Sequence, residues 1–398
     1  MSTPSPNSTP TALLLSLPPS ILCSIDLLSF TTTPHFHGIK SIPTGYHFIF
    51  TSETTSHSIR DGFWFHIPPA PQTSIPNTPP PPLIVRKWDP TTGSLRAIDD
   101  PESHRNQLAG LWEKGLTPYR QSASKDAEVE EERGDWAQLT GHITSRVLSH
   151  LTQNEEWKIT SASCAVGDRD EIPGLTAAEV GEEEQELGVL GIDLKRTWRE
   201  GAVGRERTEA ATDRSWALGD VVKRWREEGE EWGDVVLGQM EVCFLMVLTV
   251  ANWSCLEEWK RIVGLVLTCK RAVREREGWF ATFLGVLRRQ MERCEDVEGG
   301  LFDMSDEGGG LLKGLLRGFK RTLGQVFGKG EGEDVKEEIE ALEDFLKREY
   351  GWELGDDFVR KGMLELEDGE RVEVEMEEME GEDERGEYAP VVVGLDES

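Results

Sequence analysis

The spacing of apolar residues along this 398-residue chain changes once, and that change most limits what it can fold into. From Leu13 to about Trp112 apolar residues alternate with polar ones. Beyond Asp135 they recur every three to four residues. Alternation at period 2 gives a strand with one inward face, whereas a period of 3.6 draws an apolar stripe along a helix. A β-domain followed by an α-domain is therefore expected. The length agrees, because single cores rarely grow past roughly 250–300 residues.

Within the first part, Tyr46, Phe48 and Phe50 alternate with His47, Ile49 and Thr51, so His47 is expected to face outward opposite Phe48. The run Ser58 to Ile67 sets Phe63, Phe65 and Ile67 on one face, with Asp61-Gly62 as a local kink or bulge, and "SETTSH" between the two runs has the polarity of a hairpin loop. The segment "IPPAPQTSIPNTPPPP" (67–82) cannot enter a sheet interior, because proline removes ladder donors, and is expected to be an extended surface loop. "LIVRKWD" resumes the sheet, and Pro90 to Gly93 turns it into "SLRAI". Short strands joined by turns predict an antiparallel β-sandwich or barrel.

"DWAQLTGHITSRVLSHL" (135–151) changes period and predicts a single helix packed on the sheet. An acidic linker follows over 166–207. The α-helical domain spans 208–352. Val235 to Ala251 is apolar almost all round, as the central helix of a bundle should be. Stripes follow at Trp259 to Val273, Trp279 to Met291, Leu311 to Phe327 and Val335 to Leu346. The β-domain is assigned to 13–165 and a tail to 353–398. In that tail Glu365 to Glu387 holds thirteen acidic residues against Arg371 and Arg385, too charged to bury a core, before the strand-like "YAPVVVGL".

The formal net charge of −31 opposes phosphate binding, so nucleic acid is excluded as a partner. The six cysteines lack C-x-x-C spacing and lie mostly in apolar runs, which predicts buried thiols in a reducing compartment. "TALLLSLPPS" has no basic flank and is broken by Pro18-Pro19, so it is not expected to be a signal segment. The longest apolar run is too short to span a bilayer and carries Gln239 and Glu241. A soluble intracellular monomer without cofactor is the expectation. Neither a nucleophile elbow nor a P-loop is present. "GGGLLKGLLRGFKR" (308–321) has the form of a basic amphipathic helix, and a bundle helix with one apolar and one basic face accounts for it.

All eight histidines lie between His35 and His150. His35-x-His37 resembles the H-x-H of cupins, and Glu53 and His66 are candidates for further ligands, giving a metal-dependent β-barrel enzyme as the alternative reading. The acidic ligand those folds place next is replaced by "GIKSIPTG". The stretch from His35 to Phe50 is better explained as scaffold, with Gly38 and Gly45 supplying turn conformations and Pro43 presetting φ.

"IDLLSFTTTPHFHGIKSIPTGYHFIFTSE", followed by "RDGFWF" and "VRKWD", closely resembles the N-terminal signature of the cistron-splicing-factor family, the Aar-two-type assembly chaperones of the U-five small nuclear ribonucleoprotein. The resemblance returns in "LGQMEVCFLMVLTVANWSCLEEWKRIVGLVL", "LKREYGWEL" and "APVVV". It implies a two-domain protein with a β-sandwich-like N-terminal domain and an all-α VHS-like C-terminal domain. It implies no enzymatic activity. The implied partner is the large central scaffold protein of the spliceosome, held through its RNase-H-like and Jab/MPN-like domains, in cytoplasm and nucleus. Gly38, Pro43, Gly45, Trp64 and Trp88 fall in the signature blocks. Ala389, Pro390, Val391, Val392 and Val393 match the C-terminal strand with which the family bridges partner domains, a form of β-augmentation. Ser305, in "FDMSDEGGG", precedes two acidic residues and is a candidate phosphosite.

Overall fold

The computed structural model describes residues 8–53, 59–69, 80–119, 136–168, 186–294, 308–355, 360–365 and 371–376. The chain forms two compact units, Met1–Val189 with Leu237–Glu258, and Leu190–Val236 with Trp259–Ser398.

The strands of the first unit are β1 (Thr11–Leu15), β2 (Leu22–Ile25), β3 (Leu28–Thr31), β4 (Gly38–Lys40), β5 (Gly45–Ser52), β6 (Asp61–Ile67), β7 (Leu83–Asp89), β8 (Ser94–Ala97), β9 (Leu116–Pro118) and β10 (Lys158–Thr160). They make two five-stranded sheets, ordered β8-β7-β1-β4-β9 and β10-β6-β5-β2-β3. The second is antiparallel throughout. The first departs from the antiparallel expectation, because β1 pairs β7 and β4 pairs β9 in parallel. The chain leaves β6 in one sheet and re-enters as β7 in the other, so β7 lies beside β1 rather than its sequence neighbour. The proline-rich segment makes that crossing; its residues 70–79 lie outside the described ones.

Alternation sorts the core. Ala12, Leu14, Ile39, Trp88 and Leu95 of the first sheet meet Cys23, Ile25, Ile49, Phe63, Phe65 and Ile67 of the second in one buried cluster. Leu13, Leu83 and Val85 point the other way and bury against Leu108 and Trp112, of which Leu108 opens α1 (Leu108–Leu111). The second sheet is likewise covered on its outer face. There Trp64 stacks on Trp136 at 5.8 Å, and Trp136 Nε1 donates to the Tyr46 carbonyl at 2.7 Å.

Covering both faces overturns two expectations. His47 is only 1% exposed instead of facing solvent. Gly62 does not kink or bulge the strand; it sits in register opposite Phe50, and an added Cβ would lie 2.4 Å from the Phe48 ring. Glycine is there for close approach. Gly38 likewise lies in β4 instead of a turn, where a Cβ would collide with the Ala12 carbonyl at 2.0 Å. Gly45 opens β5 with φ 129°.

The helix expected over 135–151 is interrupted. α2 is described over 136–139, and α3 (Ser145–Thr152) starts afresh with Thr144 as its cap, accepting from the Val147 N–H. The break frees the His142 N–H for a side-chain acceptor. That acceptor comes from α6 (Asp234–Val250), the helix expected at the centre of the α-bundle. Residues Leu237–Glu258 belong instead to the first unit. A Cβ on Gly238 would meet the His142 carbonyl at 2.5 Å, which shows how closely α6 approaches the α2–α3 break. No described helix is long and apolar enough to cross a membrane.

The second unit is helical. It holds α4 (Arg205–Thr212), α5 (Ser215–Trp225), the C-terminal part of α7 (Trp253–Val266), α8 (Arg271–Glu275), α9 (Glu277–Met291), α10 (Gly308–Val326) and α11 (Glu333–Tyr350). Val335, Ile339, Leu342, Phe345 and Leu346 are all buried, as their stripe requires, and Phe280 of α9 stacks on Phe319 of α10 at 6.1 Å. The region assigned as acidic linker is packed at its end: Leu190, Ile192, Leu194 and Ala202 are buried. Among the described residues, the charged segment expected to lack structure holds a hairpin, β11 (Arg360–Glu365) with β12 (Arg371–Met376), whose second strand carries the alternating sequence "RVEVEM".

Candidate functional site

The β2–β3 hairpin turns on two residues, Asp26 and Leu27, with Asp26 at φ 54°. Aspartate tolerates this left-handed conformation better than most residues. Its side chain is the reason the position is held. Asp26 Oδ1 accepts the Phe48 N–H at 2.9 Å. Asp26 Oδ2 lies 2.8 Å from His47 Nδ1 and also accepts the Tyr119 hydroxyl. His47 Nε2 faces the Pro43 carbonyl at 3.0 Å, so both ring nitrogens meet oxygen acceptors. Within the signature, the Pro43 carbonyl anchors the ring, a role that its backbone and not its side chain supplies.

An aspartate, a histidine and a tyrosine in hydrogen-bonded sequence have the parts of a proton relay. Relays need a reacting atom within reach. Here Asp26 and His47 are 1% exposed, with the Phe65 ring 5.5 Å from the imidazole. The arrangement ties the hairpin tip to β5 and to the residue after β9.

A second set of buried polar groups lies along α6 and its junction with α7. Glu241, fully buried, accepts the His142 backbone N–H at 2.7 Å and faces His142 Nδ1 at 2.8 Å. Gln239 Nε2 donates to the Gly188 carbonyl at 3.0 Å. Asn252 Nδ2 donates to the Thr160 and Ser163 carbonyls at 2.9 and 2.7 Å, while its Oδ1 accepts the Cys255 N–H and caps α7. Close by, burial holds the pKa of His150 below its ordinary value. The signal for these residues was in the sequence: two amide or carboxylate side chains inside an otherwise apolar helix need partners. Which partners they take is not a local property.

The candidate metal ligands are not brought together. Among the described residues no group of three or more His, Cys, Asp or Glu can hold a metal ion, and His35, His37, Glu53 and His66 are all described. His37 is fixed by its backbone between Leu14 and Gly115. His66 lies tilted against the Tyr46 ring, 4.5 Å between centres, and Glu53 lies against Gly93 in the β7–β8 turn. The cupin-like alternative is therefore withdrawn, because strand pairing sends its candidate ligands to different places. Trp88 is buried in the core between the sheets. All six cysteines are free and buried, and burial pushes the Cys23 thiol up to about 12. Ser305 and Ala389 to Val393 lie outside the described residues.

Comparison with known proteins gives a match in each half. A family model described as the AAR2 N-terminal domain matches residues 8–153, and one described as the AAR2 C-terminal repeat region matches residues 190–355. The second match begins at the residue where the second unit begins. The protein AAR2 homolog of Homo sapiens is 22% identical over 316 residues, covering 71% of this chain and 75% of its own length. That of Mus musculus is 23% identical over 323 residues, with the same coverage. That of Caenorhabditis elegans is 22% identical over 375 residues, covering 87% of this chain and 94% of its own length.

Proposed function

Because the chain belongs to the AAR2 family, we propose that it is a non-catalytic assembly factor for pre-mRNA splicing. Its ligand in this reading is the large central scaffold protein of the U-five small nuclear ribonucleoprotein, bound through the RNase-H-like and Jab/MPN-like domains during maturation. It acts as a monomer in cytoplasm and nucleus, without cofactor, nucleic acid or membrane, and its helical half is VHS-like. The observation that carries the reading is the match of both halves to one family.

The burial of Asp26, His47 and Glu241 supports it, since the groups best equipped for acid–base chemistry are sealed into the fold. In this reading the C-terminal residues Ala389 to Val393 add a strand to an open sheet edge of the scaffold. Main-chain hydrogen bonds supply affinity, with Val391 and Val393 on one face and Val392 on the other. Phosphate on Ser305 adds about two negative charges and weakens the complex.

Pull-down of the isolated RNase-H-like and Jab/MPN-like domains by the full chain tests the reading. Capture of either is expected. Capture of neither, with both domains folded, overturns it.

A further inference from the structure

We propose that the outer edge of β3 is a docking site for an extended protein segment that adds a strand to the second sheet and presents carboxylates to Lys40 and Lys114.

The described sheet ends differ in what they leave open. At β10, the Thr160 carbonyl is already taken by Asn252. At β9, the Tyr119 N–H donates to the Lys40 carbonyl at 2.8 Å, so Pro118, one residue earlier, faces outward and offers no donor. β8 carries exposed Arg96, paired with Asp89 at 3.5 Å, a charge of the kind that discourages strand addition.

Among the described residues, β3 has no such protection. A two-residue hairpin connection makes its flanking residues, Ile25 and Leu28, a hydrogen-bonded pair. Bonded and non-bonded pairs then alternate, so Cys23↔Phe30 is bonded while Ser29 and Thr31 turn their N–H and C=O away from β2. The Thr32 N–H donating to Ile21 at 2.9 Å continues the same phase. Ser29 and Thr31 are exposed, and no strand pairs with them among the described residues.

The space beside this edge fits an occupant. A groove of about 440 Å³ runs between β3 and β9, lined among others by Phe30, Phe36, His35, Lys40, Glu113 and Lys114. Phe30 and Phe36 give part of its mostly polar lining an apolar surface. Its two lysines against one glutamate make a locally basic lining on a chain of net charge −31. The Lys40 ammonium is held in place by the Trp112 carbonyl and lies 4.7 Å from the centre of that indole. A β-prone segment with carboxylates satisfies the free ladder and the charge together. This surface does not depend on the splicing assignment.

The test uses the full chain and two fluorescein-labelled decapeptides of alternating Thr and Val, one ending in two glutamates and the other in two lysines. The glutamate peptide is expected to bind at least tenfold more tightly. Lys114→Glu should erase most of that preference. The double variant Ser29→Pro/Thr31→Pro removes only outward donors and should weaken binding at least tenfold with an unchanged melting temperature. Should that variant misfold, the glutamate peptide N-methylated at alternate residues gives the same reading on the unaltered protein. Amide exchange at Ser29 and Thr31 should slow when the unmethylated peptide is bound. Absence of saturable binding by the glutamate peptide, equal affinity of the two peptides, or indifference to N-methylation would each overturn the proposal.

Discussion

In the first unit, buried carboxylates and amides stand where segments distant in sequence meet; in the second, apolar stripes predominate, with buried Gln290, which accepts the Trp259 Nε1–H at 2.8 Å, as a counterexample. Asp26 joins a hairpin tip to His47 and Tyr119, and Glu241 joins α6 to the α2–α3 break. By contrast, Phe280 of α9 stacks on Phe319 of α10, and α11 buries Leu342 and Leu346. A carboxylate of the second unit, Asp213, also joins distant segments by accepting the Lys270 and Arg271 N–H groups, but it is only half-buried. The difference shows how each half specifies its fold. Burial stabilises stripes almost regardless of exact partner, whereas a buried carboxylate is tolerable in one arrangement only, because any other leaves it desolvated and unpaired.

The sharpest way to break that comparison is to remove Asp26. Asp26→Ala leaves the Phe48 N–H, the Tyr119 hydroxyl and His47 without their acceptor, and should cost about 3–5 kcal/mol, the range for breaking a buried pair. Asp26→Asn keeps a residue that tolerates positive φ, yet turns an amide NH₂ toward donors. Thermal melts should show it losing most of what Ala loses. If Asn matches wild type, backbone conformation and not the carboxylate holds the hairpin.

The counterpart in the second unit is Leu342→Ala, expected to cost about 3 kcal/mol by transfer and cavity terms. Leu342→Met should recover most of it, since volume-conserving swaps are tolerated in a stripe. No comparable rescue is expected at Asp26, and a failure of Leu342→Met would erase the contrast.

What was legible in the sequence follows the same division. "LIVRKWD" is β7 residue for residue, because Pro82 and Pro90 bound an alternating run. The stripe from Val335 to Leu346 is buried as spaced. Alternation marks the two faces of a strand but not whether both are covered, so it sends His47 outside although the fold buries it. A single helix is expected over 135–151 because apolar spacing continues through the break, while the acceptor that takes the freed His142 N–H, Glu241, lies 99 residues away. Sheet order was equally hidden, since the β1–β7 parallel ladder depends on a crossing and not on either strand's composition. Of the site, Pro43 could be singled out but its role as acceptor for His47 could not, since His47 itself was turned the wrong way.

Glu241→Gln sharpens the comparison at intermediate size. The amide keeps the shape and can accept one bond, so a loss of about 1–3 kcal/mol is expected, seen as faster amide exchange at His142. An unchanged exchange rate there would mean the helix break is set by Gly141 and Thr144 alone.

The smallest effect belongs to Asp213. Burial alone would raise its pKa, but the Ser215 hydroxyl and the N–H groups of Lys270, Ser215 and Arg271 outweigh it and hold the carboxyl below its ordinary value. A depressed folded pKa means the stabilisation is present above the unfolded pKa and is lost as pH falls through the folded one. Asp213→Asn should therefore cost under about 1 kcal/mol near neutrality, given the screening of a half-exposed group. The difference from wild type should shrink in melts below the ordinary aspartate range. A difference that grows on acidification would contradict the assignment.

A protein ligand is the central expectation for this chain, and titration calorimetry of the full chain with the scaffold's RNase-H-like and Jab/MPN-like domains tests it most directly. The prediction is a saturable one-to-one complex, weakened at least tenfold when the chain is ended at Glu387 while its melting temperature stays the same. No binding by the full chain, or equal binding by the shortened one, would contradict it.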